Sequence, residues 1–158
     1  MTNPLLEEFE LPHFSEITAA DIEPAINEVL AKNKREIASL LEGGKEYSWE
    51  NLVHPIELMD DLNRVWSPVS HLNSVMNNDE WREAYSNCLP KLSEYSTEIG
   101  QNKELYLAYL SIKKGAEYKV LSTAQKKIID NALRDFELSG VALQSDKKQR
   151  YMDISQQL

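Results

Sequence analysis

Two apolar seams of the same rhythm, one following the other, limit this chain to helices. Leu58, Leu62, Val65, Val69, Leu72 and Met76 step by 4, 3, 4, 3, 4, and Trp81, Tyr85, Cys88, Leu92, Tyr95 and Ile99 repeat those steps. Alternating threes and fours keep side chains on one face of a helix; a strand, whose period is two, would scatter them to both sides. Between the seams, Asn77, Asn78 and Asp79 form a short polar turn and a cap. The two helices, expected from Pro55 to about Asn77 and from about Glu80 to Gln101, therefore form an antiparallel hairpin. Each carries an interior proline. Pro68 and Pro90 lack the N–H of one helical hydrogen bond, which predicts a bend in each member, and Pro68 is expected to kink or divide its helix near Val65.

The rest of the chain reads the same way. Thr18 to Asp21 mark a helix start, and the main helix is expected from about Pro24 to Glu42. It buries Ile26, Val29, Leu30, Ile37, Leu40 and Leu41, turns Lys32, Lys34, Arg35 and Glu36 to water, and stops at Gly43-Gly44. Ser48 caps a short turn from Trp49 to Val53. Asn102 caps a shorter helix carrying Leu105, Tyr109 and Ile112 and ending around Gly115, after which Tyr118, Val120 and Leu121 form a bridge. Thr123 to Gly140 is a helix with both ends written in: Ser122 and Thr123 can cap the first N–H groups, and Gly140 can take the left-handed conformation that closes the last turn. Ile129, Ala132, Leu133 and Phe136 share its buried face, while Asp130 and Arg134, four apart, are expected to pair on the wet side. After a linker with Val141 and Leu143, Ser145 or Asp146 is expected to cap a last helix bearing Tyr151, Ile154 and Leu158. No stop signal follows that stripe, which predicts that position 158 is a cut within a longer protein and that the exposed face drives self-association.

Residues 1–17 interleave Leu5, Leu6, Phe9, Leu11, Phe14 and Ile17 with acids, Pro4 and Pro12, a pattern that disfavours a long helix and predicts an extended arm. The expected fold class is all-α: an antiparallel bundle of about five to six helices over residues 18–158, truncated within its last helix, with the arm of residues 1–17 packed over it.

With 158 residues the chain is one domain by size, and its 42% hydrophobic content is that of a soluble globular protein. Acids outnumber bases 26 to 17, for a net charge of -9 and a pI near 4.9. Such a field repels phosphate backbones and anionic lipid, so neither nucleic acid nor membrane is expected as a partner. A single cysteine, Cys88, rules out an internal disulfide framework and fits a reducing compartment. MTNPLLEEFELP has no basic region followed by a long apolar core, so no secretory signal is expected, and the cytoplasm is the expected location.

The chemistry-bearing residues do not assemble into a site. His13, His54 and His71 are the three histidines; none is followed by Glu, and none has a second His four positions on, so His-Glu-x-x-His is absent. His71 lies beside the buried seam and reads as a packing residue, and His54, before Pro55, reads as a turn residue. Cys88 is mid-helix in an apolar stripe, where cysteine behaves as a small hydrophobe rather than a nucleophile. There is no Gly-x-Ser-x-Gly turn, no glycine-rich phosphate loop, and no carboxylate pair that stands apart from the solvated helical faces. No catalytic residue and no metal ligand is expected, and no residue is assigned to substrate.

Five stretches in order, MTNPLLEEFELPHFSEI, YSWENLVHPIE, SPVSHLNSV (Ser67 to Val75), LSEYSTEIGQ (Leu92 to Gln101) and TAQKKIIDNALRDFELSG, resemble the start of the bacterial member of the thimet oligopeptidase and neurolysin family of zinc metallopeptidases. The likeness is collinear across essentially the whole chain. Its most family-wide piece is Leu133-Arg134-Asp135-Phe136 followed by Ser139-Gly140 and Leu143. The resemblance implies a longer, nearly all-helical enzyme of two lobes around a deep channel that admits short peptides and excludes folded proteins. It implies zinc as cofactor, held by the two His of His-Glu-x-x-His and a later Glu, while the motif Glu activates the attacking water. Those residues belong to the C-terminal part of the family, and no residue of this chain matches them. The chain is then expected to be an inactive N-terminal segment that binds no zinc itself, builds part of the channel wall, and has the C-terminal catalytic part of the same polypeptide as its partner. An independent acidic helical module that binds another protein is the alternative, and it would be expected to close its last helix.

Overall fold

The computed structural model describes residues 3–7, 10–42 and 46–156, and among them every regular element is helical. The helices are α1 (Ala19–Leu41), α2 (His54–Glu57), α3 (Asp61–Val75), α4 (Asp79–Gly100), α5 (Lys103–Lys114), α6 (Glu117–Val120), α7 (Thr123–Leu138) and α8 (Ser145–Ser155), with a π-turn at Trp49–Val53 leading into α2. The protein is all-α, as the seams require. Phe9 of the N-terminal stretch, the Gly43-Gly44 stop and Leu158 of the final stripe lie outside the described residues. Two compact units form: Met1–Arg35 with Met59–Leu92, and Glu36–Leu58 with Ser93–Leu158.

In the first unit α1 begins at Ala19, earlier than Pro24. The backbone N–H and hydroxyl of Thr18 both donate to the Asp21 carboxylate, at 2.8 and 2.6 Å, and this side-chain closure starts the helix a turn sooner. Ile22, Ala25, Ile26, Val29 and Leu30 of α1 are buried, as are Val65, Val69 and Leu72 of α3 and Trp81 and Cys88 of α4. Trp66 stacks on Tyr85 with ring centroids 4.7 Å apart, a pairing across the turn that an antiparallel hairpin provides. Of the N-terminal stretch, Leu5 and Ile17 are buried while Leu11 is 75% exposed. The backbone there closes turns, Leu6 N–H to Asn3 O and Glu16 N–H to His13 O.

The hairpin departs from expectation at the ends of its seams. Leu58 and Met76 are 70% and 69% exposed, and the first helix divides at Leu58–Asp60 rather than near Val65. Leu58 N–H closes α2 on His54 O, and Arg64 N–H opens α3 on Asp60 O, so the division has its own capping turns. Pro68, which is buried along with Val65 and Val69, leaves the Arg64 carbonyl without its helical donor, yet α3 stays continuous through it. α4 likewise runs unbroken through Pro90, which is exposed.

In the second unit three caps, at Ser48, Asn102 and Ser122, match their sequence signals. The Asn102 side chain accepts the Leu105 N–H at 3.0 Å; Ser48 with Asn51, and Ser122 with Gln125, each exchange two hydrogen bonds as capping boxes. α7 ends with Gly140 at φ 80°, Gly140 N–H on Glu137 O and Val141 N–H on Phe136 O, both 3.1 Å, with Val141 buried. This is a Schellman closure, which needs the left-handed residue that glycine supplies. Ile129, Leu133 and Phe136 are buried against a core that includes Leu105, Tyr109 and Ile112, and the Tyr109 ring meets Phe136 edge-on at 5.7 Å. Ala132 is only half-buried. The cap of α8 is not Ser145 or Asp146. A turn closed by Leu143 N–H on Gly140 O leaves Gln144 as the last extended residue, at ψ 159°, so Ser145 is already helical and no side chain caps the end.

Candidate functional site

Each histidine sits in a local contact. The His13 ring nitrogen is 3.5 Å from a Glu16 carboxylate oxygen, His54 lies 3.5 Å from Glu50 and stacks on Trp49, and His71 tilts against Phe14 with centroids 5.5 Å apart. Among the described residues no three His, Cys, Asp or Glu side chains gather in a way that could hold a metal ion. Cys88 is fully buried, and that burial pushes its thiol above the ordinary value, the reverse of what a nucleophile needs. Burial also raises the Tyr109 phenol, with Glu57 adding to the effect.

What the second unit does bring together is a polar knot that sequence spacing did not suggest. Lys113 Nζ donates to Asp130 Oδ1 at 2.5 Å and to the Tyr118 hydroxyl at 2.7 Å, and that hydroxyl donates to the same Asp130 oxygen at 2.8 Å. Lys113 holds the Asp130 carboxyl below its usual value, and Asp130, with Tyr118, raises Lys113. The expected Asp130–Arg134 pair does not form. Arg134 turns to its neighbour Asp135, because α5 lies against α7 and offers Asp130 a cation from outside its own helix. An ion pair with its members this exposed ties α5, α6 and α7 together and does not mark an acid–base centre.

Two grooves could receive something larger. In the second unit a groove of about 730 Å3 lies along α5, with Leu107, Ala108 and Ile112 among its apolar lining and Glu46, Glu104 and Glu117 at its rim. In the first unit Phe14, Ile17, Leu72, Met76 and Trp81 line an apolar cup of about 570 Å3. Neither was legible in the sequence, because each is made from segments far apart in the chain and its glutamates read as ordinary solvated positions. No helix among the described residues is long and apolar enough to cross a membrane.

The family model described as neurolysin/thimet oligopeptidase, N-terminal domain, matches residues 26–148. Oligopeptidase A of Escherichia coli (strain K12) is 52% identical over 159 residues, an alignment that takes in 100% of this chain and 23% of the relative. Oligopeptidase A of Haemophilus influenzae is 52% identical over 155 residues, 98% of this chain and 23% of the relative. A probable cytosolic oligopeptidase A of Arabidopsis thaliana is 32% identical over 158 residues, 99% of this chain and 22% of the relative. The chain thus spans about a quarter of the length of the curated relatives it matches.

Proposed function

Since the chain belongs to the neurolysin/thimet oligopeptidase family through that family's N-terminal domain, we propose that it is the N-terminal helical part of a zinc-dependent oligopeptidase. The longer protein hydrolyses short peptides in the cytoplasm, and this part serves it as scaffold: helices that form a section of the channel wall and pack against the downstream catalytic part. The observation that carries the reading is similarity running end to end through this chain while covering only 23% of the relative. Zinc does not fit the residues described here, which offer no set of three donors, so the metal is assigned to the downstream part and no catalytic step to this one. The arm of residues 1–17 and the helical part from residue 18 belong to the same scaffold.

The reading predicts a division of activity. Purified 158-residue chain, stripped of metal and resupplied with zinc, is expected to leave a short fluorogenic peptide intact, whereas the longer polypeptide cleaves it and loses that activity to a chelator. Stoichiometric zinc on the 158-residue chain by elemental analysis, or metal-dependent turnover by it, would overturn the assignment. A natural reading frame without a downstream His-Glu-x-x-His would favour an independent acidic interaction module instead.

A further inference from the structure

The groove along α5 has a character of its own. Its floor is apolar, and Leu107 is 49% exposed there while the adjacent Ala108 and Ile112 are almost fully buried. Three carboxylates, Glu46, Glu104 and Glu117, stand around it, and no lysine or arginine among the described residues lines it. Glu117 is held in place: its Oε2 accepts the Trp49 backbone N–H at 3.1 Å, so the charge is fixed at the rim before anything binds. An exposed leucine on a floor that is otherwise well packed, ringed by one sign of charge, suits a chain segment apolar on one side and cationic at its edges.

We infer that this groove seats an apolar segment bearing lysine or arginine from the downstream part of the longer polypeptide. The inference rests on the function proposed above, and the occupant is chosen on two grounds. Some three-quarters of the relatives' length lies outside the matched region, and the groove's charge complements a cation. Leu107 enters the partner's apolar face, and the rim glutamates take its cationic side chains, fixing register more than adding affinity.

Thiol labelling tests this. Leu107→Cys and Ser111→Cys each place a thiol in the groove, and Cys88, fully buried with a raised thiol, contributes only slow background. Each variant is prepared in the 158-residue chain and in the longer polypeptide, labelled with a maleimide, and read by peptide mass spectrometry. Both sites are expected to label rapidly in the short chain and at least about tenfold more slowly in the longer one. Val120→Cys, at an 83% exposed position, is expected to label equally in both. Equal rates at positions 107 and 111 would overturn the proposal, and so would protection that appears only when substrate peptide is added. Glu46→Lys with Glu104→Lys in the longer polypeptide is expected to restore rapid labelling at position 107; undiminished protection would overturn the cationic occupant. Peptidase activity is assayed on the same preparations. A longer polypeptide that cleaves peptide yet labels freely sinks the groove assignment alone, whereas one that cleaves nothing sinks the proposed function.

Discussion

Asp130 and Lys113 show how folding redistributes charge at single residues. Each holds the other in its ionised form: the Asp130 carboxyl falls below 3.8 and the Lys113 ammonium rises above 10.5. The carboxylate's contribution to stability is present above its ordinary value and is lost as pH falls through the depressed one. The ammonium's contribution is present below its ordinary value and is lost as pH rises through the raised one. The pair therefore stabilises between about pH 4 and pH 10. Both side chains are more than a third exposed, so solvent screening keeps the contribution small. Asp130→Asn is expected to lower stability by less than about 1 kcal/mol at pH 7, with the gap from the parent chain closing in acid, as pH falls below the ordinary carboxylate value and through the depressed one. Urea unfolding at neutral pH and in acid checks this; a gap just as wide in acid contradicts it. The sequence shows that Asp130 wants a cation but not which one, because a residue on a neighbouring helix competes with Arg134 on equal terms and periodicity describes one helix at a time. Asn33 and Thr97, polar residues buried within helices, escaped notice for the same reason: their burial is decided by what packs over them.

Helices with complete end signals were legible almost to the residue. α5 between Asn102 and Gly115 and α7 between Ser122 and the Schellman closure at Gly140 follow from side-chain oxygens and a glycine placed where the orphan backbone groups need them. The α2–α3 division was not legible, because it rests on backbone turns at Leu58 and Asp60 rather than on a breaker residue, while the visible breaker, Pro68, leaves α3 continuous. The contact between the end of α4 and the turn after α7 was equally hidden. A Cβ on Gly100 would lie 2.6 Å from the Ser139 hydroxyl oxygen and 2.7 Å from its Cβ. Gly100→Ala is thus expected to cost roughly 1–3 kcal/mol through overpacking. Adding Ser139→Gly removes both clashing atoms and is expected to recover most of the loss, a coupling that a double-mutant cycle by chemical denaturation measures. Independent, additive effects would show that the two backbones can part without strain.

For the whole molecule, charge and apolar surface pull in opposite directions. A net charge of -9 keeps copies apart, while Leu138, Leu143 and Ile154 on the second unit and Val75, Met76 and Leu89 on the first stand exposed. Screening that repulsion should let the apolar surface act. Sedimentation velocity of the 158-residue chain is expected to show more association at 0.5 M than at 0.02 M salt, roughly the span over which the Debye length falls several-fold. A monomer at both salt concentrations would mean that the exposed side chains are too scattered to form a patch. All-α class and family were readable from the chain alone. The candidate docking groove was not, since its rim draws on residues 46 and 104–117, which only folding makes neighbours.

The enclosed Cys88 has a practical corollary. Because the sulfur sits among packed side chains and resists ionising there, any alkylation under native conditions must wait for α4 to come loose around it. The molecule therefore carries its own probe: the rate at which unaltered protein consumes reagent follows the opening of that helix, its frequency where reaction outpaces reclosing and its open population where it does not, with no engineered reporter needed.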